Sequence, residues 1–216
     1  MKISILYDNE AEEGFKSSWG FSCLVGDQLL FDVGADMSIL LFNMRKASVK
    51  LNSINRVVLS HEHGDHVGGI GIVRMLGDVE VFIPTSFSSS FKRMLAAYEN
   101  VTIIEIDETR KISNGFITTG ELGRFIKEQS MIVETDNGLT VVTGCSHPNL
   151  EKILKVASKF GNIYGVVGGF HGFSRLKALG GVKLIVPCHC TSRKAQILNH
   201  YPQNSKRCAA GLIIKV

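Results

Sequence analysis

The chain has 216 residues, of which 44% are hydrophobic and 20% are charged, and its formal net charge is +4. This length allows one sizeable hydrophobic core, and the ordinary share of charged residues excludes long disordered stretches. The weak positive charge, with no long run of Lys and Arg, argues against a dedicated nucleic-acid-binding protein. No stretch has the roughly 18 to 20 uninterrupted apolar residues that a membrane-spanning helix needs.

The N-terminal stretch and the cysteines indicate where the protein resides. MKISILYDNEAEEG has an apolar run too short for a secretory signal peptide, and acidic residues follow it at once. The five cysteines are odd in number and scattered along the chain. This usage is typical of thiols or metal ligands in a reducing compartment rather than of a disulfide framework. We therefore expect a cytoplasmic protein with one domain over residues 1–216.

The first half of the chain alternates predicted strands and helices. KISILY predicts a strand, and FSCLVGDQLLFDVG predicts a hairpin that turns at Gly26 and Asp27. DMSILLFNMRKAS has helical spacing, with Asp36 or Ser38 able to cap its start. INRVVLS is a short apolar strand of the kind that is buried on both faces. HVGGIGIVRML is predicted to be helical in spite of its glycines, and SSFKRMLAAYEN is predicted to be a helix between the strands VEVFIP and VTIIEI.

The second half continues this alternation. Strands are predicted for NGFITTGEL, SMIVET, LTVVTG, IYGVVGGFHG, VKLIVPCHC and AAGLIIKV. Helices are predicted for PNLEKILKVASKF, SRLKALGG and SRKAQILNHY. This order of elements predicts an α/β (α+β) fold, in which two sheets pack face to face with helices outside.

A cluster of ionisable side chains follows the strand INRVVLS. Three of the seven histidines of the chain and one aspartate occupy this cluster: His61, His63, Asp65 and His66. In an extended segment His61, His63 and Asp65 share one side, and Gly64 allows a tight turn that brings His66 beside Asp65. Imidazole and carboxylate groups are usual ligands of Zn, Mn, Fe and Ni, and burying them without a cation is costly. The cluster therefore predicts a metal site.

The motif HEHGDH resembles the HxHxDH signature of the metallo-β-lactamase superfamily. The preceding VVLS and the upstream LLFDVG resemble that family as well. The resemblance implies a four-layer αββα sandwich with a two-metal site at one edge. It implies that His61 and His63 bind the first metal ion and that Asp65 and His66 bind the second. The LLFDVG strand is expected to support the metal loop from beneath.

The remaining ligands have to come from the second half of the chain. TTGELGR stands where the family commonly has a histidine, and it offers Glu121 as an outside candidate. TVVTGCSHPNL resembles the bridging strand of the family, with Cys145 in place of the usual aspartate. His147 shares a face with Cys145 if the segment is extended, and we infer that it supplies the missing ligand of the first metal ion. His189 in LIVPCHCT matches the last family histidine, which binds the second metal ion.

The cysteines near these histidines leave alternatives open. Cys145 can bind the second metal ion as a thiolate, which favours zinc, or it can be a small buried thiol. Cys188 and Cys190 flank His189, and on an extended segment their side chains point away from it. They fit reduced thiols in the core or near the site better than a zinc knuckle.

Two further histidines lie outside this ligand set. His171, at a strand end in VVGGFHGF, is predicted to protonate a leaving group or to contact an anionic substrate, and an ordinary loop histidine is the alternative. Gly168 and Gly169 allow the backbone to approach closely at the lip of a site. His200, late in a predicted helix, is expected to be a surface residue that suits the helix C-terminus.

Three phrases, TGCSHPN, GGFH and PCHCT, narrow the resemblance further. Together with FDVG and HEHGDH they resemble the subgroup named for dihydropterin-ribofuranosylaminobenzene-phosphate synthase. From the family we expect a hydrolase with two divalent metal ions, zinc first and Mn, Fe or Ni as alternatives. A metal-activated water is expected to attack a phosphorylated or otherwise anionic small molecule, of phosphodiester type. Asp65 is expected to orient that water, and His171 to protonate the leaving group.

Other functions stay open at this point. A pterin-type synthase of the subgroup and a non-catalytic metal-binding protein both fit the ligand set. A di-iron redox domain fits less well, because such domains typically have HxExDH and His63 occupies the slot of that carboxylate. We expect neither a membrane nor a nucleic-acid partner. A homo-oligomer in which a neighbouring subunit completes the pocket also stays open.

Overall fold

The computed structural model describes residues 1–216. The chain divides into two units: residues 1–107 with residues 209–215, and residues 108–208 with Val216. Each unit is built on one mixed β-sheet with helices packed on it. This arrangement confirms the predicted α/β class. None of the helices is both long and apolar enough to cross a membrane.

The first unit contains a seven-stranded sheet. Its strands are β1 (Lys2–Tyr7), β2 (Ser22–Val25), β3 (Leu29–Phe31), β4 (Arg56–Val58), β5 (Val79–Pro84), β6 (Val101–Ile106) and, from the end of the chain, β13 (Ile213–Lys215). They lie in the order β13-β1-β2-β3-β4-β5-β6. Pairs from β13 to β3 are antiparallel, and pairs from β3 to β6 are parallel. The predicted hairpin is confirmed, with Val25 opposite Leu29.

The helices of the first unit are α1 (Met37–Lys46), the one-turn α2 (Gly64–Val67) and α3 (Ser89–Ala96). The carboxylate of Asp36 caps α1 by accepting the backbone N–H of Ser38 at 2.7 Å and that of Ile39 at 3.1 Å. The hydrogen bond from the Ser38 side chain, followed by these two backbone bonds, lowers the pKa of Asp36. Leu40 and Met44 of α1 are buried in the core of this unit.

The prediction of one helix over HVGGIGIVRML is wrong in its extent. The segment forms only α2 and, after it, a 3₁₀ helix at Ile70–Met75. Two glycines separate them, because a Cβ on Gly68 would lie 2.2 Å from the carbonyl oxygen of Ala35, and one on Gly69 would lie 2.2 Å from that of Val33. Close backbone packing therefore determines this segment rather than helix propensity.

The second unit contains a six-stranded sheet. Its strands are β7 (Arg110–Ser113), β8 (Phe116–Thr118), β9 (Met131–Thr135), β10 (Gly138–Thr143), β11 (Ile163–Gly169) and β12 (Leu184–Cys188), and its helices are α4 (Leu150–Ala157) and α5 (Lys194–His200). The strands lie in the order β12-β11-β10-β9-β8-β7. The parallel pairs in this sheet are β10 with β11 and β11 with β12, and the other neighbouring strands are antiparallel.

Two elements of the second unit differ from the prediction. β7 was not predicted, because its sequence RKIS has no buried residue and no clear alternation. SRLKALGG was predicted to be a helix, but it forms a single 3₁₀ turn at Leu176–Leu179 that ends at Gly180. The amphipathic helix α4 is confirmed, and its buried residues Leu150, Ile153 and Leu154 pack into the core of this unit.

The carboxyl ends of the parallel strands carry the residues of interest. In the first unit Asp32 follows β3, and HEHGDH follows the strand β4 by two residues. In the second unit Cys145 and His147 follow β10, His171 follows β11, and His189 follows β12. In α/β sheets, ligands bind outside the carboxyl ends of the strands. The fold thus directs the candidate site residues of each unit to its sheet's ligand-binding edge.

Candidate metal centre

The first donor loop, residues 60–66, follows β4 and ends within α2. His61 Nε2 lies 3.0 Å from His63 Nδ1, and the ring centroids of His61 and His66 are 4.3 Å apart. Two nitrogens bound to one tetrahedral zinc ion at about 2.0–2.1 Å are separated by roughly 3.3 Å. The spacing of these imidazoles therefore fits a shared cation. His61 and His66 are buried, whereas His63 is exposed.

Asp32 determines which nitrogen of two histidines carries the proton. Its buried carboxylate accepts the Ser60 backbone N–H at 2.7 Å and the Ser60 hydroxyl at 2.8 Å, and it lies 2.7 Å from His66 Nδ1. Because a carboxylate only accepts, His66 Nδ1 is the donor. The Ser60 hydroxyl, which donates to Asp32, accepts from His61 Nδ1 at 2.9 Å. In both rings Nε2 therefore presents its lone pair, as a metal ligand requires.

Asp65 lies at the start of α2, beside His66. Its Oδ2 is 3.8 Å from His66 Nε2 and accepts the indole N–H of Trp19 at 2.9 Å. Trp19 is the one tryptophan of the chain, and 58% of its surface is exposed. Trp19 was not predicted to belong to the site, because no local pattern links it to a residue so far along the chain.

The expectation of an extended donor segment is wrong. β4 ends at Val58, and α2 begins at Gly64, so His61 and His63 adjoin while Asp65 belongs to a helical turn. A Cβ on Gly64 would meet no atom within 4 Å. The glycine that this loop needs on steric grounds is Gly68.

The second donor loop, residues 144–147, follows β10. It contains Cys145, which is buried, and His147, which is half-buried. Ser146 between them has a φ of 61°, so the segment is not extended and the shared face predicted for Cys145 and His147 does not exist. The ring of His147 instead lies 5.1 Å from that of His171.

Glu128 holds the second donor loop in place. Its Oε1 accepts the backbone N–H groups of Cys145 at 3.0 Å and Ser146 at 2.9 Å, and its Oε2 accepts that of His147 at 2.9 Å. The hydroxyl of Thr143 also donates to Oε1, at 3.1 Å. Glu128 is fully buried. This carboxylate was not predicted to belong to the site, because nothing in its neighbourhood KEQS distinguishes it from a surface glutamate.

The loop after β12 brings His189 together with two thiols. The ligand atoms of Cys145, His189 and Cys190 all lie within 4.8 Å of one another. The expectation that Cys190 points away from His189 is therefore wrong, and the reason is the φ of 44° at His189, which bends the chain. Cys188 meets the expectation of a core thiol, since its Sγ lies 3.2 Å from the Val186 carbonyl oxygen in a fully buried position.

The loop after β11 presents His171. A Cβ on Gly168, whose φ is 126°, would lie 1.9 Å from the Thr143 carbonyl oxygen, so the close approach predicted for this glycine is confirmed. His171 itself is exposed and has a φ of 42°. His200 is exposed at the end of α5, as expected. Glu121 belongs to no cluster of three donor atoms.

Strained backbone is concentrated at these strand ends. The residues other than glycine with a positive φ are Asp32, Ser48, Ser146, Asn149, His171 and His189. All except Ser48 follow the carboxyl end of a parallel strand. Such conformations are costly and typically persist at functional sites.

The donor atoms fit a divalent transition metal in both units. Imidazole and carboxylate groups in the first donor loop suit Zn, Mn, Fe and Ni, and the thiols beside His189 favour zinc. All five cysteines are thiols rather than disulfides.

Known proteins resemble this chain over most of its length. The 7,8-dihydropterin-6-methyl-4-(β-D-ribofuranosyl)-aminobenzene-5'-phosphate synthase of Methanocaldococcus jannaschii is 30% identical over 87% of this chain and 84% of that protein. The crystal structure of Tm1679, described as a metal-dependent hydrolase of the β-lactamase superfamily, is also 30% identical, with a TM-score of 0.82 over 100% of this chain and 99% of that one. The chain belongs to the metallo-β-lactamase superfamily.

Two more distant comparisons agree with this membership. The metallo-β-lactamase fold protein YhfI of Bacillus subtilis shares the fold at 13% identity, with a TM-score of 0.72 over 99% of both chains. The family model of the anti-Pycsar protein Apyc1 matches residues 11–81. This stretch of the chain contains Asp32 and the first donor loop. The 30% identity to the synthase and to Tm1679 over most of the chain confirms the predicted superfamily and its subgroup.

Proposed function

We propose that this protein is a hydrolase with two divalent metal ions, zinc by preference, and that it acts on a phosphorylated or otherwise anionic small molecule. His61, His63 and His147 would hold the first metal ion. Asp65, His66 and His189 would hold the second, with Cys145 as a further ligand. The observation that carries the proposal is the hydrogen-bond network of Asp32, which prepares Nε2 of both His61 and His66 for a cation.

The chemistry of hydrolysis follows from this ligand set. When bound, two such cations supply an activated water nucleophile and stabilise negative charge on a phosphoryl or carbonyl group. Asp65 is oriented by the indole N–H of Trp19, and we assign it the role of directing the attacking water. His171 is exposed and adjoins His147, so we assign it the protonation of the leaving group.

The substrate class is inferred from charge and from the relatives. The net charge of +4 favours an anionic substrate. Hydrolysis is supported by the similarity to Tm1679, which is described as a metal-dependent hydrolase. A phosphodiester is our first candidate substrate, because sites with two metal ions suit in-line displacement at phosphorus.

A pterin-type synthase is the second candidate function. It is favoured by the 30% identity to the synthase of Methanocaldococcus jannaschii over most of both chains. Such an enzyme would use the same metal ligands and a pterin pyrophosphate, and it would form a carbon–nitrogen bond to an amine as pyrophosphate leaves, rather than cleave a phosphodiester.

Turnover of bis-p-nitrophenyl phosphate discriminates between these functions. The purified protein is stripped with a chelator and reloaded separately with Zn²⁺, Mn²⁺, Fe²⁺ or Ni²⁺. A hydrolase loses activity on stripping and regains it with the metal ions it binds. Full metal loading without turnover would contradict phosphodiester hydrolysis and favour the synthase.

A further inference from the structure

A short hairpin precedes β9 in the second unit. The backbone N–H of Leu122 donates to the carbonyl oxygen of Glu128 at 3.0 Å, and the N–H of Glu128 donates to that of Leu122 at 2.9 Å. Within it, Gly123 has a φ of 107°, and a Cβ there would lie 2.3 Å from the Ile126 carbonyl oxygen. The turn therefore has one tightly defined conformation. We call residues 122–128 the recognition hairpin.

The recognition hairpin is fastened to the second donor loop. Glu128, at its base, accepts the backbone N–H groups of Cys145, Ser146 and His147. Next to that base, a Cβ on Gly123 would lie 3.6 Å from Pro148 Cγ. The backbone of this hairpin is consequently held beside the loop that carries His147.

A cationic cleft lies between the recognition hairpin and α4. It has a volume of about 270 Å³ and is lined by residues 123–126, His147, Pro148 and Lys152. Two of its lining side chains, Arg124 and Lys152, are cations, and no carboxylate lines it. A cleft of this composition attracts an anion.

The neighbouring cleft, by comparison, has its positive charge compensated. It measures about 360 Å³ and contains His147, His171, Glu151 and Arg175. Arg175 Nε lies 2.9 Å from a carboxylate oxygen of Glu151. The cleft of the recognition hairpin is therefore the better candidate for binding negative charge.

An aromatic ring stands at the edge of the cationic cleft. Phe125 is 90% exposed, which is the highest exposure among the exposed large hydrophobic residues of the chain. The guanidinium carbon of Arg124 lies 5.4 Å from the centroid of the Phe125 ring. An exposed ring beside cations provides a stacking surface for another ring and a charge for its anionic substituent.

We propose that this cleft is a specificity subsite for a planar aromatic group that carries a negative charge. The ring stacks on Phe125, and the charge lies between Arg124 and Lys152. The subsite is part of the proposed function, because His147 lines the cleft and is also a proposed metal ligand. It makes aromatic anions the preferred members of the substrate class.

Binding of phosphonates, which are not hydrolysed, tests the subsite. Zinc-loaded full-length protein is titrated with methylphosphonate and with 4-carboxyphenylphosphonate in a calorimeter. We expect the aromatic probe to bind at least about ten-fold more tightly than methylphosphonate. Phe125→Ala and Lys152→Ala should each lower the affinity for the aromatic probe by about five- to ten-fold and leave the affinity for methylphosphonate unchanged.

Matched controls come from the same unit. Phe160→Ala removes an exposed ring outside the cleft, and Lys155→Ala removes an exposed cation of α4 that does not line it. Both should bind the probes like the wild type. A wild type without preference for the aromatic probe, or a preference that survives Phe125→Ala, would overturn the subsite. A Phe125-dependent preference in a metal-loaded protein that does not turn over bis-p-nitrophenyl phosphate would keep the subsite and contradict phosphodiester hydrolysis.

Discussion

Asp32 is the side chain on which the first donor loop depends. It contacts both the backbone and the hydroxyl of Ser60, as well as His66 Nδ1, without being a proposed ligand itself. Partners of this kind orient the ligating imidazoles and raise their basicity. Their loss weakens metal binding although every ligand is still present.

Asp32→Asn is therefore expected to lower the metal affinity by about 10- to 100-fold. The amide cannot accept from all three donors as the carboxylate does. The affinity is measured by Zn²⁺ competition with a chelator, followed through the fluorescence of Trp19, whose indole contacts Asp65. Asp27→Asn, at an exposed turn, is the control. Wild-type affinity in folded Asp32→Asn would contradict the role of Asp32.

The role of His171 is tested by changing the leaving group. His171→Gln should reduce kcat/KM by about 10²- to 10⁴-fold for an alkyl phosphodiester, whose leaving group needs a proton. For bis-p-nitrophenyl phosphate, whose leaving group departs as a stable anion, kcat/KM should fall far less. His200→Gln serves as the control. An equal loss on both substrates would show that His171 is not the proton donor.

Each donor loop is held by a buried carboxylate from a different element. Asp32 follows β3 and fixes the loop after β4, and Glu128 precedes β9 and fixes the loop after β10. Asp32 itself has a φ of 52°, and Ser146 in the second donor loop has a φ of 61°, so these hydrogen bonds offset local strain. Rigid support of this kind keeps ligands in position before a metal ion binds.

Glu128→Ala should therefore lower the free energy of unfolding by about 3 kcal/mol, because it leaves several buried N–H groups without an acceptor. Glu128→Gln keeps one acceptor oxygen, so its free energy of unfolding should fall by less. Urea unfolding measures both. Glu134→Ala, at an exposed position on β9, should change the stability by less than about 0.5 kcal/mol. A Glu128→Ala variant as stable as Glu134→Ala would refute this role of Glu128.

Alanine substitutions at two glycines near α2 are expected to differ in their effect on stability. Gly68→Ala should cost about 2 kcal/mol or more, since its Cβ would overlap the carbonyl oxygens of Ala35 and Gly64. Gly64→Ala should be tolerated within about 0.5 kcal/mol, because nothing lies near its Cβ. Thermal unfolding of the two variants gives the comparison. Equal destabilisation would mean that the packing around Gly68 does not govern this segment.

Much of this organisation can be predicted from the sequence. The apolar runs locate nearly all strands, and Asp36 caps α1 as predicted. HEHGDH, together with FDVG, identifies the superfamily, because dense ionisable residues after an apolar strand have few structural explanations. Sequence pattern predicts these features because each depends on residues close together in the chain.

What could not be predicted depends on contacts distant in sequence. Glu128 reaches residues about twenty positions away, and Trp19 reaches Asp65. Neither has a local signature. The extended geometry assumed for the segments at Cys145 and His189 was wrong, because residues with positive φ bend both loops and sequence pattern does not reveal such strain in residues other than glycine.

Taken as a whole, the chain repeats one arrangement in both units. Loops that follow parallel strands carry the candidate ligands of each unit, and these ligands lie at the edge where α/β sheets bind ligands. The central claim, which belongs to the proposed function, is that His66, His147 and His189 are metal ligands.

The metal content per chain tests this claim most directly. It is measured by mass spectrometry on the wild type, on His66→Ala, His147→Ala and His189→Ala, and on the control His200→Ala. We expect about two metal ions per chain in the wild type and in His200→Ala. Each of the other variants should lose about one of them, because a site that lacks one imidazole binds metal weakly. If His147→Ala and His189→Ala keep the full wild-type content, the second unit supplies no ligands and the claim is wrong.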